Sequence, residues 1–313
     1  MKASIIIATY NRGEVLADTI AMALAQDFDD YEVIVVDQSS PLSVDPAAYA
    51  QYGDRIRFLT LSRPSMPGAR NAGVLAARGG IVIFIDDDVV FGPEFVASHV
   101  SRYDDSSIGG VTGLTCPARL STDEEILAET RTLYSLATIP ADGLATVEWL
   151  VGCNCSFRRS LVLEAGLYDG RFKSLCDDSD MSVRVRQLGY RLLLDTGFRL
   201  VHLELQSGGA RNRDPRWNER EMDQMQSCLY FFVKHRRFMG LPHVAEKTWQ
   251  IYRKHALNRG ILSRGTRAVL SRQLAFLSAV VQAFRWSATP ARPASAEAAV
   301  DLQPRHDAPL NAA

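Results

Sequence analysis

The sequence predicts an α/β fold on a largely parallel sheet, and three observations carry that prediction. Residues 3–8, 32–36 and 81–85 hold near-continuous apolar runs, the pattern of strands buried on both faces, whereas a half-exposed strand would alternate. Between the first two runs, Val15, Leu16, Ile20, Ala23 and Leu24 recur at helical spacing. The second and third runs end in carboxylates, at Asp37 and at Asp86-Asp87-Asp88, where an open α/β sheet delivers side chains to a crevice.

Taken in order, strand 3–8 ends in the turn Thr9-Tyr10-Asn11-Arg12-Gly13, and a helix leads to strand 32–36. Strand, helix and strand of this length make a right-handed unit whose strand ends share one sheet edge, so Thr9, Tyr10, Asn11 and Asp37 are expected at one crevice. A third strand spans 56–61. Residues 67–77 form a helix with Pro67 in its first turn and small residues for close packing, and Arg70 and Asn71 near its start are placed to hold an anionic or hydroxylated ligand.

That helix feeds strand 81–85 and its three acids. Adjacent carboxylates repel and lose hydration, so a cation or ligand hydroxyl is needed to offset their cost. Hard oxygen donors suit Mg²⁺ or Mn²⁺. In an extended or turning segment Asp86 and Asp88 point one way and Asp87 the other, which makes the outer pair the expected metal ligands.

The next helix carries Phe95, Val96, His99 and Val100, followed by a strand at 108–115 and a helix at 123–136 that opens on Asp123-Glu124-Glu125. The regular alternation then breaks, with short strands at 146–151 and 155–157 around Gly152-Cys153-Asn154. A second acidic cluster, Asp177-Asp178-Ser179-Asp180, opens a helix that Gly189 ends. Arg184 lies one turn after Asp180 and pairs with it, leaving Asp178 for the cleft. Strands follow at 191–195 and 198–203, the latter carrying His202, then a basic glycine-containing loop at 206–213 and a helix at 215–237.

Composition bounds the function. The chain has 313 residues, 47% hydrophobic and 23% charged with a net charge of −1, which describes a globular protein with a sizeable core. Its five cysteines are odd in number and scattered, which predicts a reducing, cytoplasmic setting without disulfides, and Cys153-x-Cys155 lacks the second pair a zinc site needs. No uninterrupted run is long enough to span a membrane, and the start of the chain lacks the pattern of a secretory leader. Basic residues accumulate over 234–292 against the single acid Glu246. They interleave with no aromatic platform, which argues against nucleic acid and leaves peripheral contact with the inner membrane face as an expectation. Residues 267–286 read as a packed apolar helix, and the Ala/Pro-rich tail from 287 as disordered.

Together, the segments Ser4 to Arg12, Val35-Val36-Asp37, Gly68-Ala69-Arg70-Asn71-Ala72-Gly73, Phe84-Ile85-Asp86-Asp87-Asp88 and Asp177 to Arg184 resemble family-2 glycosyltransferases. The resemblance implies the GT-A fold, a Rossmann-like mixed sheet flanked by helices, over 1–237, with a donor half at about 1–116 and an acceptor half at about 117–237. A basic helical segment at 238–286 and the tail complete the expected organisation. It further implies a nucleotide-sugar donor, a divalent metal and inversion at the anomeric carbon, with a glycan, lipid-linked or small-molecule acceptor.

Matched residue by residue, Thr9, Tyr10 and Asp37 contact base and ribose, with Asn11, Arg70 and Asn71 beside them. The Asp86-Asp87-Asp88 run lies at the donor, and Asp86 and Asp88 hold metal. Asp178 is the general base, and Asp177 stands where relatives usually carry Glu. His202 matches a position that contacts metal or diphosphate in some relatives, and Gly208, Gly209 and Arg211 match the flexible segment that covers phosphate. Trp149, Gly152 and Asn154 lie where relatives build the acceptor wall.

Two other classes remain open at this point. A nucleotidyltransferase needs a similar sheet and a metal, but the first turn lacks a glycine-rich basic phosphate loop. A catalytically silent sugar-binding module would bind a nucleotide sugar without turnover, and it would have no use for Asp178.

Overall fold

The computed structural model describes residues 1–173, 175–205, 217–257, 266–294 and 300–302. In the first half, β1 (Ala3–Thr9), α1 (Gly13–Leu24), β2 (Tyr31–Asp37), β3 (Ile56–Thr60), α2 (Met66–Ala76) and β4 (Ile81–Ile85) follow the predicted alternation. Every residue of β1, β2 and β4 is buried, which explains why their sequences do not alternate. Leu16, Ile20, Ala23 and Leu24 form the inner face of α1. Ser65 caps α2, and Gly73 lets it approach β1 so closely that a Cβ there would lie 2.4 Å from Ile6 Cγ2.

The chain continues through β5 (Val89–Phe91), α3 (Phe95–Ser101), β6 (Ile108–Pro117), α4 (Asp123–Leu133), β7 (Leu144–Val147) and β8 (Asn154–Arg158). Next come α5 (Arg159–Glu164), α6 (Asp177–Gln187) and β9 (Arg191–His202). The helices α7 (Trp217–Lys234), α8 (Arg236–Met239), α9 (Leu241–Ala256) and α10 (Thr266–Ser287) precede a two-residue strand, β10 (Val300–Asp301).

One mixed sheet runs β10-β3-β2-β1-β4-β8-β6-β9-β5, with β7 also on β9. Strands β3, β2, β1 and β4 are mutually parallel, and β8 enters antiparallel between β4 and β6. One apolar cluster joins α1 and α3 to the sheet, and a second joins α2, α5 and α6 to it.

Three expectations change. The two strands expected at 191–195 and 198–203 are one strand, because a register shift between Gly113 and Leu114 of β6 absorbs the break on β9 and Asp195 accepts the Gly197 amide. The basic helical segment expected at 238–286 divides into two main helices, Leu241–Ala256, with Pro242 in its first turn, and Thr266–Ser287. The tail expected to be disordered from 287 is partly ordered, since the Ala294 amide donates to Tyr168 O and β10 adds to the edge of β3.

Candidate active site

Strand order places the site. From β1 the chain moves outward to β2 and β3, then returns to the other side of β1 as β4, so the order reverses between β1 and β4. The parallel register aligns Ile7 with Ile85 and brings the residues just beyond, Thr9 and the triple Asp, to the mouth of one crevice. A cleft of about 330 Å³ opens there, with Thr9, Tyr10, Arg12, Arg70, Asp86, Asp88, Gly152, Asp177, Asp178 and His202 among its lining residues.

All three acids border the cleft, but they spend their oxygens differently. Asp87 turns inward, accepts hydrogen bonds from Thr9 Oγ1 at 2.7 Å and Arg12 Nη1 at 2.8 Å, and burial pushes its carboxyl up to about 6 despite Arg12. Asp86 and Asp88 face the cleft with His202, which antiparallel pairing of β9 with β5 sets opposite Val89. His202 Nε2 lies 3.5 Å from Asp86 Oδ2 and 3.3 Å from Asp88 Oδ1, and one ligand atom from each residue falls within 4.8 Å of the others. Hydrogen bonds to Asp86 and Asp88 raise the imidazole to about 10.

Asp88 Oδ1 is buried without a well-formed hydrogen bond, while Oδ2 is held by Arg12 Nη1 at 2.8 Å and the Leu205 amide at 3.1 Å. A buried carboxylate oxygen whose near polar neighbour is the His202 imidazole at 3.3 Å, with a second carboxylate alongside, fits a divalent cation that accepts oxygen and nitrogen ligands.

Across the cleft, α6 begins after Cys176, whose left-handed backbone (φ 69°) turns the chain into the helix. Asp178 Oδ2 accepts the Gly152 amide at 2.9 Å, and Oδ1 accepts the Ser179 amide. Burial and the neighbouring Asp177 raise its carboxyl against the pull of Arg70. Arg70 Nη1 meets Asp177 Oδ2 at 2.6 Å, and its guanidinium lies over the Tyr168 ring. Gly152 makes this junction possible, since a Cβ there would lie 2.4 Å from Arg70 Nη2 and 3.0 Å from Asp178 Oδ2. Asp180 points the other way, fully buried against Arg184, Lys234 and His235.

A second hollow of about 450 Å³ adjoins the cleft and is lined by Tyr10, Asn11, Gln38, Ser39, Ser40, Thr60 and Leu61 among others. Asp37 lines neither; both its oxygens accept amides, of Ser39 and Ser43, and so shape the wall of this hollow. Asn71 is removed from the crevice: it is fully buried, donating to Tyr168 O and Ala294 O and accepting the Tyr168 amide. Asn154 is also withdrawn, its amide donating to Leu114 O and its carbonyl meeting His99. Trp149 packs against the second apolar cluster and lines neither hollow. Arg211, with Gly208 and Gly209, lies outside the described residues.

Sequence reasoning placed Arg12 in the first turn without a role, yet it bridges Asp87 and Asp88 from a buried position. An arginine three residues past a buried strand, facing a run of acids, was the available signal. Gln38, Lys173 and Cys176 also line the cleft, and nothing in their sequence context marked them.

A mixed α/β sheet, a carboxylate–imidazole set at its switch point and a carboxylate on a helix start across the cleft define a glycosyltransferase of the GT-A type. The model of glycosyl transferase family 2 matches residues 4–164, half of the chain, and the chain belongs to that family. The succinoglycan biosynthesis protein ExoO of Rhizobium meliloti is 38% identical over 101 residues, 32% of this chain and 29% of that protein. The glucosyl-dolichyl phosphate glucuronosyltransferase of Haloferax volcanii is 24% identical over 218 residues, 64% of this chain and 69% of that protein. The match thus spans less than a third of ExoO. In fold, the mannosyltransferase PcManGT from Pyrobaculum calidifontis, solved with GDP-Man and Mn²⁺, aligns with a TM-score of 0.58 at 17% identity, covering 92% of this chain and 88% of that one.

Proposed function

We propose that the chain transfers a sugar from a nucleoside-diphosphate donor to a hydroxyl of a growing glycan, whether free or lipid-linked, with inversion and with Mn²⁺ or Mg²⁺. The observation that carries this reading is the opposition, across one cleft, of Asp86, Asp88 and His202 to Asp178. PcManGT, solved with GDP-Man and Mn²⁺, supports the donor class, and the name of ExoO supports a polysaccharide acceptor. Asp86, Asp88 and His202 would hold a divalent cation, which would supply positive charge against the negative charge developing on the leaving diphosphate.

Asp178 takes the proton of the attacking hydroxyl. A carboxylate raised above its usual value is a better match to that task, and the amides of Gly152 and Ser179 fix its direction. Arg70 holds Asp177 at its side, so Asp177 positions and Asp178 reacts. Tyr10, Asn11 and Gln38 border the hollow that suits the nucleoside, with the loop shaped by Asp37 as its wall. Arg211 is assigned to the diphosphate. One displacement with one base inverts the anomeric carbon.

The test is a screen of nucleotide sugars with Mn²⁺ or Mg²⁺, read by thermal stabilisation and by release of nucleoside diphosphate. Stabilisation by one donor that disappears with EDTA and weakens in Asp88→Ala is expected. A folded protein that no nucleotide or nucleotide sugar stabilises would sink the assignment.

A further inference from the structure

The three-helix unit of α7, α9 and α10 buries one face of α10 through Phe276, Ala279 and Ala283, closing a third apolar cluster with Met225, Leu229 and Tyr230. The opposite face stays bare. Leu270, Leu274, Leu277, Val281 and Phe284 are 61%, 58%, 58%, 50% and 52% exposed. Their spacing is four, three, four, three, the repeat of a coiled-coil seam. At the turn of an α-helix they fall within a stripe about 80° wide, narrower than the face a helix normally buries against a globular core. Side chains this exposed leave on the order of 500 Å² of apolar surface open, more than scattered surface leucines would, so a pair of such faces would bury roughly 1,000 Å².

We infer that this face of α10 is an interface with a second copy of the same chain. A 3.5-residue repeat is the pattern that another helix reads, knob into hole. The five seam positions hold no charged or polar side chain, so two copies can face each other about a two-fold axis without burying an unpaired polar group. A lipid surface fits less well. An interfacial helix sets its apolar stripe against a face rich in Lys and Arg and is basic along both edges, but the back of α10 is buried in protein, and basic residues flank only one edge, at Arg267 and Arg285, where the other carries Gln273. The segments outside the described residues have few large apolar side chains to offer such a face. Residues 206–216, 295–299 and 303–313 contain one large aliphatic residue, Leu310, and residues 258–265 contain two, Ile261 and Leu262, against a seam of five.

The experiment is sedimentation velocity on the full chain across the micromolar range, with Leu277→Glu and, as a control, Leu75→Glu at an equally exposed site on α2. Wild type and Leu75→Glu should self-associate to dimers. Leu277→Glu should keep its circular dichroism spectrum and associate at least ~100-fold more weakly, because two carboxylates would enter the seam. A wild type monomeric at every concentration, a dimer that survives Leu277→Glu, or equal loss in Leu75→Glu would overturn the inference. So would a monomer that floats with phosphatidylglycerol vesicles and loses that binding in Leu277→Glu, an outcome that assigns the face to lipid.

Discussion

The backbone amide of Gly152 donates to Asp178 Oδ2 at 2.9 Å, across 26 residues of chain, and so fixes the direction of a carboxylate whose helix starts with a left-handed residue. The contact joins the loop before β8 to the start of α6, and it leaves Asp178 in the cleft wall with its charge in a poor environment.

For Asp178 the sign of that cost is testable. Its folded carboxyl is raised, so the group contributes stability when protonated and loses it as pH rises through the folded value. Asp178→Asn removes the buried charge but sets its NH2 against one of the two amides the carboxylate accepts, so its melting temperature should lose this part of the wild type's decline with rising pH while turnover falls by ~10²–10⁴. Wild-type kcat should decline on acidification at a pH above the ordinary carboxylate range. An Asp178→Asn melting temperature that declines with rising pH as steeply as the wild type's would contradict the argument.

Gly152→Ala isolates the junction. The new Cβ would meet Arg70 Nη2 at 2.4 Å, a closeness that forces the guanidinium away from Asp177 or the loop away from Asp178. The fold should persist by circular dichroism, donor binding should change little, and kcat should fall by roughly 10²-fold, the scale of a misplaced catalytic group.

His202 links metal binding to protons. Asp86 and Asp88 keep its metal-free imidazole charged up to about pH 10, and that charge contributes stability fully present below about 6.5, the unfolded value, and lost through about 10. A cation must displace the proton. Titration calorimetry with Mn²⁺ at pH 7.5 in buffers of different ionisation enthalpy should report release of about one proton, with affinity rising ~10-fold per pH unit. No proton release would remove His202 from the ligand set.

Asp180 tests the frame behind the site. It is fully buried, and Arg184, then His235 and Lys234, overcome the effect of burial and hold its carboxyl below the usual range. Its stability contribution is present above the unfolded pKa and lost as pH falls through the folded value, below about pH 4. Asp180→Ala strands buried cations and should cost about 3–5 kcal/mol. Thermal denaturation should show a fall of roughly 10 °C.

Much of this was legible in the chain. The strands that end at Thr9, Asp37 and Ile85 announce themselves because burial on both faces leaves an unbroken apolar run, a local property. The pairing of Asp180 with Arg184 follows from helical spacing. Short-range geometry sets these features, and sequence displays it.

Tertiary structure alone decided the rest. Asn71 and Asn154 have the residue type and neighbourhood of ligand contacts, yet each is spent on carbonyls or rings far away in sequence, at Tyr168, Ala294, Leu114 and His99. Arg12 bridges acids 75 residues and more beyond it, and Gly152 matters for what approaches it from α2 and α6. The physical reason is common to all of them: a polar side chain takes whichever partner desolvation leaves within reach, and only the packing of distant elements determines which partner that is.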